Sequence, residues 1–329
     1  MGIITEKKKT IETITEYGTG IVYQSDLNEK IKSGEIDDVI MFSETLQSVI
    51  MQKLANMIVD EKIRVVLVAG PSASGKTTFT KRLCMHLWIN GRKPIYLGTD
   101  DYYKARDLVK IEKDGTRNFD RIDAINLNLF NTQLRQLMDG EEVDIPIFDF
   151  IMGKPVFGMR KTKAYPEQII VVEGIFGLNP LLTSQIDDSE KFRIFIMPST
   201  VPRIDDTRKV DTSDVRMLRR IVRDNAHRGW GPAQTMDAWE KVRIGEYENI
   251  FPYKDTVNAY FDSTFTYELA ALKPHAAPLL KDIKQTDPHY KEAQRLLEIL
   301  SHVEALPSER CIPMNSIMRE FIGGSVVVD

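Results

Sequence analysis

Val66-Leu67-Val68-Ala69-Gly70-Pro71-Ser72-Ala73-Ser74-Gly75-Lys76-Thr77-Thr78 reads as an apolar strand, a loop of small residues and the start of a helix. Gly70, Gly75, Lys76 and Thr77 complete the pattern G-x-x-x-x-G-K-[ST], a phosphate-binding loop. Glycines let backbone N–H groups turn inward around an anion without a Cβ clash. The helix start adds free N–H donors and the positive end of the helix dipole. Lys76 can reach the terminal phosphates as a point charge, and the Thr77 hydroxyl can complete the shell of a Mg2+ ion. Gly70 and the run Ser72, Ala73, Ser74, Gly75, Lys76, Thr77 and Thr78 are therefore the expected nucleotide-binding set, with ATP and Mg2+ as cofactors. The plain alternative is a Gly-rich strand-to-helix turn. The context argues against it: Ile63–Val68 is almost wholly aliphatic, and Phe79, Leu83, Cys84 and Leu87 follow at helical spacing.

Further apolar runs at Pro94–Leu97, Ile145–Phe150, Ile169–Val172 and Phe192–Met197 predict buried strands. Helical patterns separate them, at Asn126–Met138 and, before the first strand, from Ser43-Glu44-Thr45 through Asp60. Strands alternating with helices predict an α/β fold, a P-loop NTPase-type parallel sheet flanked by helices. Residues 199–212, with Pro202, read as a polar loop. A basic helix at Ser213–Arg228, a break at Trp230-Gly231-Pro232 and helices at Met236–Glu248, Phe265–Leu272 and His289–His302 follow. The apolar end, Phe321–Val328, predicts a last strand or a docked tail. The expected organisation is an N-terminal extension (1–44), a P-loop core with an Arg-bearing lid helix (45–230) and a helical C-terminal part packed on the core (231–329).

Of 329 residues, 42% are hydrophobic and 28% charged, and net charge is −4, which favours general adhesion neither to nucleic acid nor to anionic membrane. Met1–Lys9 has no apolar core of a secretory signal, and Glu6 departs from a myristoylation pattern. Cys84 lies on the apolar face of the P-loop helix and reads as a buried reduced thiol, and no Cys/His cluster has zinc-site spacing. The expectation is a cytoplasmic chain, with self-association left open.

Further constellations extend the loop's chemistry. Asp100 and Asp101 end the run Ile95–Thr99, one strand away from the P-loop, where a carboxylate can take a proton from an attacking hydroxyl or hold Mg2+ through water. Glu173 ends Ile169–Val172 in the manner of a Walker-B acid and helps hold Mg2+ together with Thr77. Arg216, Arg220, Arg223 and His227 fall on one face of the basic helix, with Met217, Leu218, Ile221 and Val222 opposite. Such a stripe is either an ordinary solvated face or a lid that closes over a triphosphate. Asn118-Phe119-Asp120 and Phe148-Asp149-Phe150 pair aromatic platforms with carboxylates, which suits an acceptor pocket or a plain aromatic core.

In this order the motifs resemble the uridine kinase and phosphoribulokinase family of P-loop kinases over roughly residues 62–230. Asn249-Ile250-Phe251-Pro252, Tyr267-Glu268-Leu269-Ala270 and Arg319–Ser325 extend the likeness to a bacterial uridine kinase-like subgroup. Longer members of that subgroup carry an extension similar to parts of threonyl-tRNA synthetase, of which this chain keeps only a last segment, so no tRNA role is implied. The resemblance implies Asp100 as general base and Asp120 on the acceptor's ribose hydroxyls. It implies Arg220 and Arg223 as phosphate-contacting lid residues with Arg228 at the lid's end, and Thr77 and Glu173 for Mg2+. Tyr103, Phe148 and Phe150 complete the expected acceptor-binding set. The family's base-reading Tyr and His fall here on Phe148 and Gly153, and a second lid arginine falls on Trp230.

The expected activity is transfer of the γ-phosphate of ATP to a hydroxyl of a small molecule, in first place the 5′-hydroxyl of a nucleoside. The alternatives are another hydroxyl acceptor, such as a sugar phosphate, and an ATP-binding regulator without acceptor turnover.

Overall fold

A computed structural model describes residues 23–111, 115, 117–201 and 203–328. Residues 1–22, half of the expected extension, and Pro202 of the polar loop lie outside them.

A five-stranded, wholly parallel sheet forms the centre. Its strands are β1 (Val65–Ala69), β2 (Ile95–Gly98), β7 (Ile170–Glu173), β8 (Lys191–Met197) and β9 (Ala259–Asp262), in the order β2-β7-β1-β8-β9. Alternate side chains of β1 feed two cores, as strand geometry demands. Val66 and Val68 join a layer built on helices α1 (Gln24–Ser33), α2 (Ile36–Asp60) and α3 (Lys76–Ile89) and on the C-terminal helices, whereas Val65 and Leu67 join the opposite layer, which includes α4 (Leu127–Met138).

The helix read from Ser43 opens earlier, at Ile36, and Leu27, Ile36, Val39 and Ile40 are buried in the main core, so residues 24–44 are structural parts of the domain. Ile145–Phe150 is not a strand of the parallel sheet. Within it, β4 (Ile147–Asp149) pairs antiparallel with β5 (Lys154–Val156), while β3 (Glu142–Asp144) pairs with β6 (Lys161–Lys163). Within β4, Phe148 is buried between the exposed Ile147 and the half-buried Asp149, the alternation of a half-covered hairpin.

After β8 come α5 (Thr212–Arg228) and α6 (Pro232–Asn249), the latter opened by Gly231 and by Pro232 at its first turn. Strand β9, which had no counterpart in the sequence reading, follows. Helix α7 (Glu268–Lys281) runs through Pro274 and Pro278, past the expected end at Leu272. Burial of Leu269, Ala270, Leu272, Ala276 and Leu280 offsets the cost of interior prolines, about 3 kcal/mol each. Helix α8 (Tyr290–Ser301) packs on α7, and a docked tail containing the short α9 (Arg319–Ile322) ends the described chain. Among the described residues no helix is long and apolar enough to cross a membrane.

Candidate active site

Strand β1 delivers the chain to Gly70, where a Cβ would lie 2.0 Å from the carbonyl oxygen of Ile196 on β8, so only glycine fits. The loop then turns through left-handed conformations at Ala73 (φ 58°) and Gly75 (φ 84°). Among the described residues the N–H groups of Gly75, Lys76 and Thr77 make no hydrogen bond, and they open the N-terminus of α3 as free donors. The Lys76 ammonium donates to the Pro71 carbonyl at 3.2 Å. A cavity of about 370 Å3 lies over the loop, lined by Ser72, Ala73, Lys76 and Thr77 and also by Asp100, Tyr103, Asp120, Glu173, Arg220, Arg223 and Arg228. The fold thus brings most of the sequence-predicted set to one chamber. Gly70, Ser74, Gly75 and Thr78 shape the loop beneath it.

Asp100 and Glu173 stand at the carboxyl ends of β2 and β7, where open parallel sheets place ligands. Strand β7 intervenes between β1 and β2, so Glu173, not Asp100, ends the strand beside the P-loop. Glu173 accepts hydrogen bonds from Tyr96 Oη at 2.9 Å and Thr77 Oγ1 at 3.4 Å. Burial pushes its carboxyl up to about 7, against the opposing pull of Lys76. Asp100 opens to the cavity, but enclosure by protein still raises its carboxyl, again opposed by Lys76, and burial likewise raises Asp120, opposed first by Arg220. Enclosure lowers Lys76 itself, against the nearby charges of Glu173, Glu320 and Asp100.

Among the described residues no group of three or more His, Cys, Asp or Glu could hold a metal unaided. The Thr77 hydroxyl and the buried Glu173 carboxylate are hard oxygen donors side by side, and this set suits Mg2+, which takes few protein ligands and completes its shell with water and phosphate.

The arginine-bearing helix α5 departs from the expected wheel. Arg216 does not face solvent: it is 1% exposed and forms a bidentate pair with Glu246 of α6 at 2.6 and 2.9 Å. Arg219, fully buried, pairs with Glu268 and donates to the Ala73 carbonyl at 3.2 Å. Arg220 donates to Ser72 Oγ at 2.8 Å, so α5 is docked on the P-loop. Asp224, with no exposed surface, accepts from Arg220 at 3.1 Å and Arg223 at 3.2 Å and pairs with Arg228 at 3.3 Å. His227 points to solvent. The stripe tolerates its like charges because carboxylates of this chain lie among them.

On the acceptor side, Asp120 and Tyr103 line the cavity, but Phe148 and Phe150 do not. Phe148 is buried edge-to-face against Tyr103, ring centres 5.7 Å apart, and Phe150 is 64% exposed. At Gly153 a Cβ would come within 2.9 Å of Arg106 Nε, because that side chain lies over the glycine.

Sequence reasoning missed the contribution of α6. Glu246 accepts from the Ser72 backbone N–H at 2.8 Å, Asn249 donates to the Asp120 carbonyl at 2.6 Å, and Gly245 sits against Asp120. Nothing local marks these residues, because their partners lie more than a hundred positions away. Asn249 did stand in a quoted motif, the one signal available.

With this geometry in place, the comparisons with known proteins fit. The family described as "Phosphoribulokinase / Uridine kinase family" matches residues 65–270, more than half of the chain. The chain belongs to that family. Among curated relatives, the uridine kinase of Staphylococcus haemolyticus is 32% identical over 206 residues, 62% of this chain and 84% of that one. The uridine kinase of Macrococcus caseolyticus is 31% identical over 182 residues, 55% of this chain and 78% of that one. Among solved structures, D-glycerate 3-kinase from Cryptococcus neoformans var. grubii is 14% identical, with a TM-score of 0.41 and coverage of 60% of this chain and 87% of that one. Membership makes the chain a P-loop kinase, whose family uses ATP, generally with Mg2+, and a small-molecule acceptor.

Proposed function

We propose that the protein is a cytoplasmic phosphotransferase that moves the γ-phosphate of ATP to a hydroxyl of a small molecule, most favourably the 5′-hydroxyl of a nucleoside. The observation that carries this reading is the shared chamber. Asp100 faces the P-loop lysine across it, and Arg220, Arg223 and Arg228 line the same space. A protein that only bound nucleotide would need neither the carboxylate nor the arginines.

The loop amides and Lys76 hold the β- and γ-phosphates, and the three arginines take up charge that spreads over the transferring group. Asp100 orients the acceptor hydroxyl and accepts its proton. Asp120 binds neighbouring hydroxyls. Thr77 and Glu173 would hold Mg2+, which when bound neutralises phosphate charge. The raised Asp100 carboxyl suits a proton acceptor working near neutrality.

A sugar-type acceptor is the second reading. It is favoured by the burial of Phe148 and by Arg106 covering Gly153, which take both positions out of the chamber wall and leave Tyr103 as the aromatic side chain that lines it. ADP release measured across nucleosides, sugars and sugar phosphates, with products weighed by mass spectrometry, separates the two. Asp100→Asn should lower kcat by about 10^2–10^4 while ATP affinity stays within about threefold. Undiminished turnover would remove Asp100 from the role.

A further inference from the structure

The two ends of the phosphate-binding loop are each occupied by a carboxylate of this chain, and the two differ. At one end Glu246 takes the Ser72 N–H and is neutralised by the bidentate guanidinium of Arg216. At the other end a single oxygen of Glu320 accepts from Thr78 Oγ1 at 2.7 Å and from the Thr78 backbone N–H at 3.3 Å. Glu320 is 8% exposed, and among the described residues no Lys, Arg or His forms an ion pair with it. A buried carboxylate without a cation is costly, and here its hydrogen-bond donors belong to the first turn of α3. That helix takes no side-chain cap from its own Gly75, so Glu320 caps it from the far end of the chain.

Glu320 reaches this position on the docked tail. Ile317 is pressed so close to Gly75 that a Cβ there would lie 2.3 Å from its Cγ2. Arg319 ties the segment down through the Ile312 carbonyl at 3.0 Å and the Glu309 carboxylate at 3.2 Å. Lys81, one turn beyond Thr78 in sequence, holds the Val327 carbonyl at 2.6 Å. The whole segment lies beyond residue 270, where the family match ends. Its charge is felt at both Lys76 and Glu173.

We propose that Glu320 is an internal stand-in for nucleotide phosphate, held on the P-loop helix by the C-terminal segment, and that an incoming polyphosphate must swing it off Thr78. Glu320 then sets the affinity for the donor nucleotide. The inference rests on the donor half of the proposed function. A triphosphate brings several negative charges to the same helix start, where the N–H groups of Gly75, Lys76 and Thr77 are free to receive it but the Thr78 donors are already taken, and its charge repels the Glu320 carboxylate held there. Competition of this kind multiplies the intrinsic affinity by the fraction of molecules in which the helix start is unblocked.

The test is calorimetric titration of the full chain and of Glu320→Gln with ATP, tripolyphosphate and adenosine. The amide variant keeps an oxygen for the Thr78 donors and removes the charge. It should bind ATP and tripolyphosphate about fivefold or more tightly than the parent, with adenosine unchanged. A purely structural role would weaken binding or leave it alone. Equal or weaker binding of both polyphosphates by the variant overturns the inference and leaves the phosphotransferase reading standing. Failure of both proteins to bind ATP overturns both. Hydrogen exchange on the unmodified chain gives an answer that no variant can confound: tripolyphosphate should speed exchange at residues 317–322, and protection or no change there overturns the displacement.

Discussion

At the scale of single residues, Asp224 decides how the lid arginines can work. Three guanidiniums so close together would repel, and each would pay to leave water. One fully buried carboxylate accepts from Arg220 and Arg223 and pairs with Arg228, which leaves a net positive cluster directed at the cavity. Asp224→Asn keeps the shape and removes the charge. Breaking a buried ionic network by removing one partner costs about 3–5 kcal/mol, so denaturant unfolding should show a loss of that order. The kcat should fall at least about tenfold, because the arginines lose the geometry in which they meet phosphate. A variant with unchanged kcat would mean that the cluster serves the fold alone.

At the scale of elements, α6 is the wall that sets the acceptor side. Gly245 faces Asp120 so closely that an added Cβ would lie 2.9 Å from the aspartate's own Cβ. Gly245→Ala must therefore push the loop that holds Asp120. Overpacking of this kind costs about 1–3 kcal/mol, and steady-state kinetics should show the acceptor KM rising about tenfold with the ATP KM unchanged. The α2–α3 contact carries a pH dependence instead. His86 of α3 is half-buried, with Nδ1 2.8 Å from Gln52 Oε1 of α2, and burial, helped by the Arg82 charge, lowers its pKa. The unfolded chain then binds the proton more readily than the folded one, so stability is retained above the ordinary histidine value and falls as pH drops below about 6.5. Unfolding midpoints at about pH 7.5 and 5.5 should differ more in the parent than in His86→Gln. These elements also show where sequence reading succeeds. The P-loop, Asp100 and Glu173 were legible because each motif is local: an apolar strand and the residue that ends it. The wheel of α5 put Arg216 on one stripe with Arg220 and Arg223 and gave no sign of its burial, because its partner, Glu246, is thirty positions on. The role of Phe148 was misplaced because its burial depends on Tyr103 and on the hairpin that covers it.

At the scale of the whole molecule, the chain's end is part of its core. Ile312, Ile317, Met318 and Phe321 are essentially inaccessible, and the Phe321 ring lies 4.9 Å from the Arg219 guanidinium. Arg219 in turn holds the Ala73 carbonyl of the P-loop and pairs with Glu268 of α7. One aromatic ring thus supports a chain of contacts from the tail through the lid helix to the phosphate-binding loop. Phe321→Ala removes the ring and leaves a cavity under a buried charge, at a cost of about 3–5 kcal/mol. Measured in the Glu320→Gln background, where the competing carboxylate charge is gone, ATP binding should weaken together with stability, because the cavity adjoins Arg219. The control is Leu181→Ala, at a 54% exposed position far from these contacts in sequence, which should change stability by no more than about 0.5 kcal/mol. Equilibrium unfolding and ATP titration of the two variants read both quantities. Loss of stability with full ATP affinity would make the tail a brace for the fold alone, whereas joint loss ties the last residues of the chain to the chemistry of its most recognisable motif.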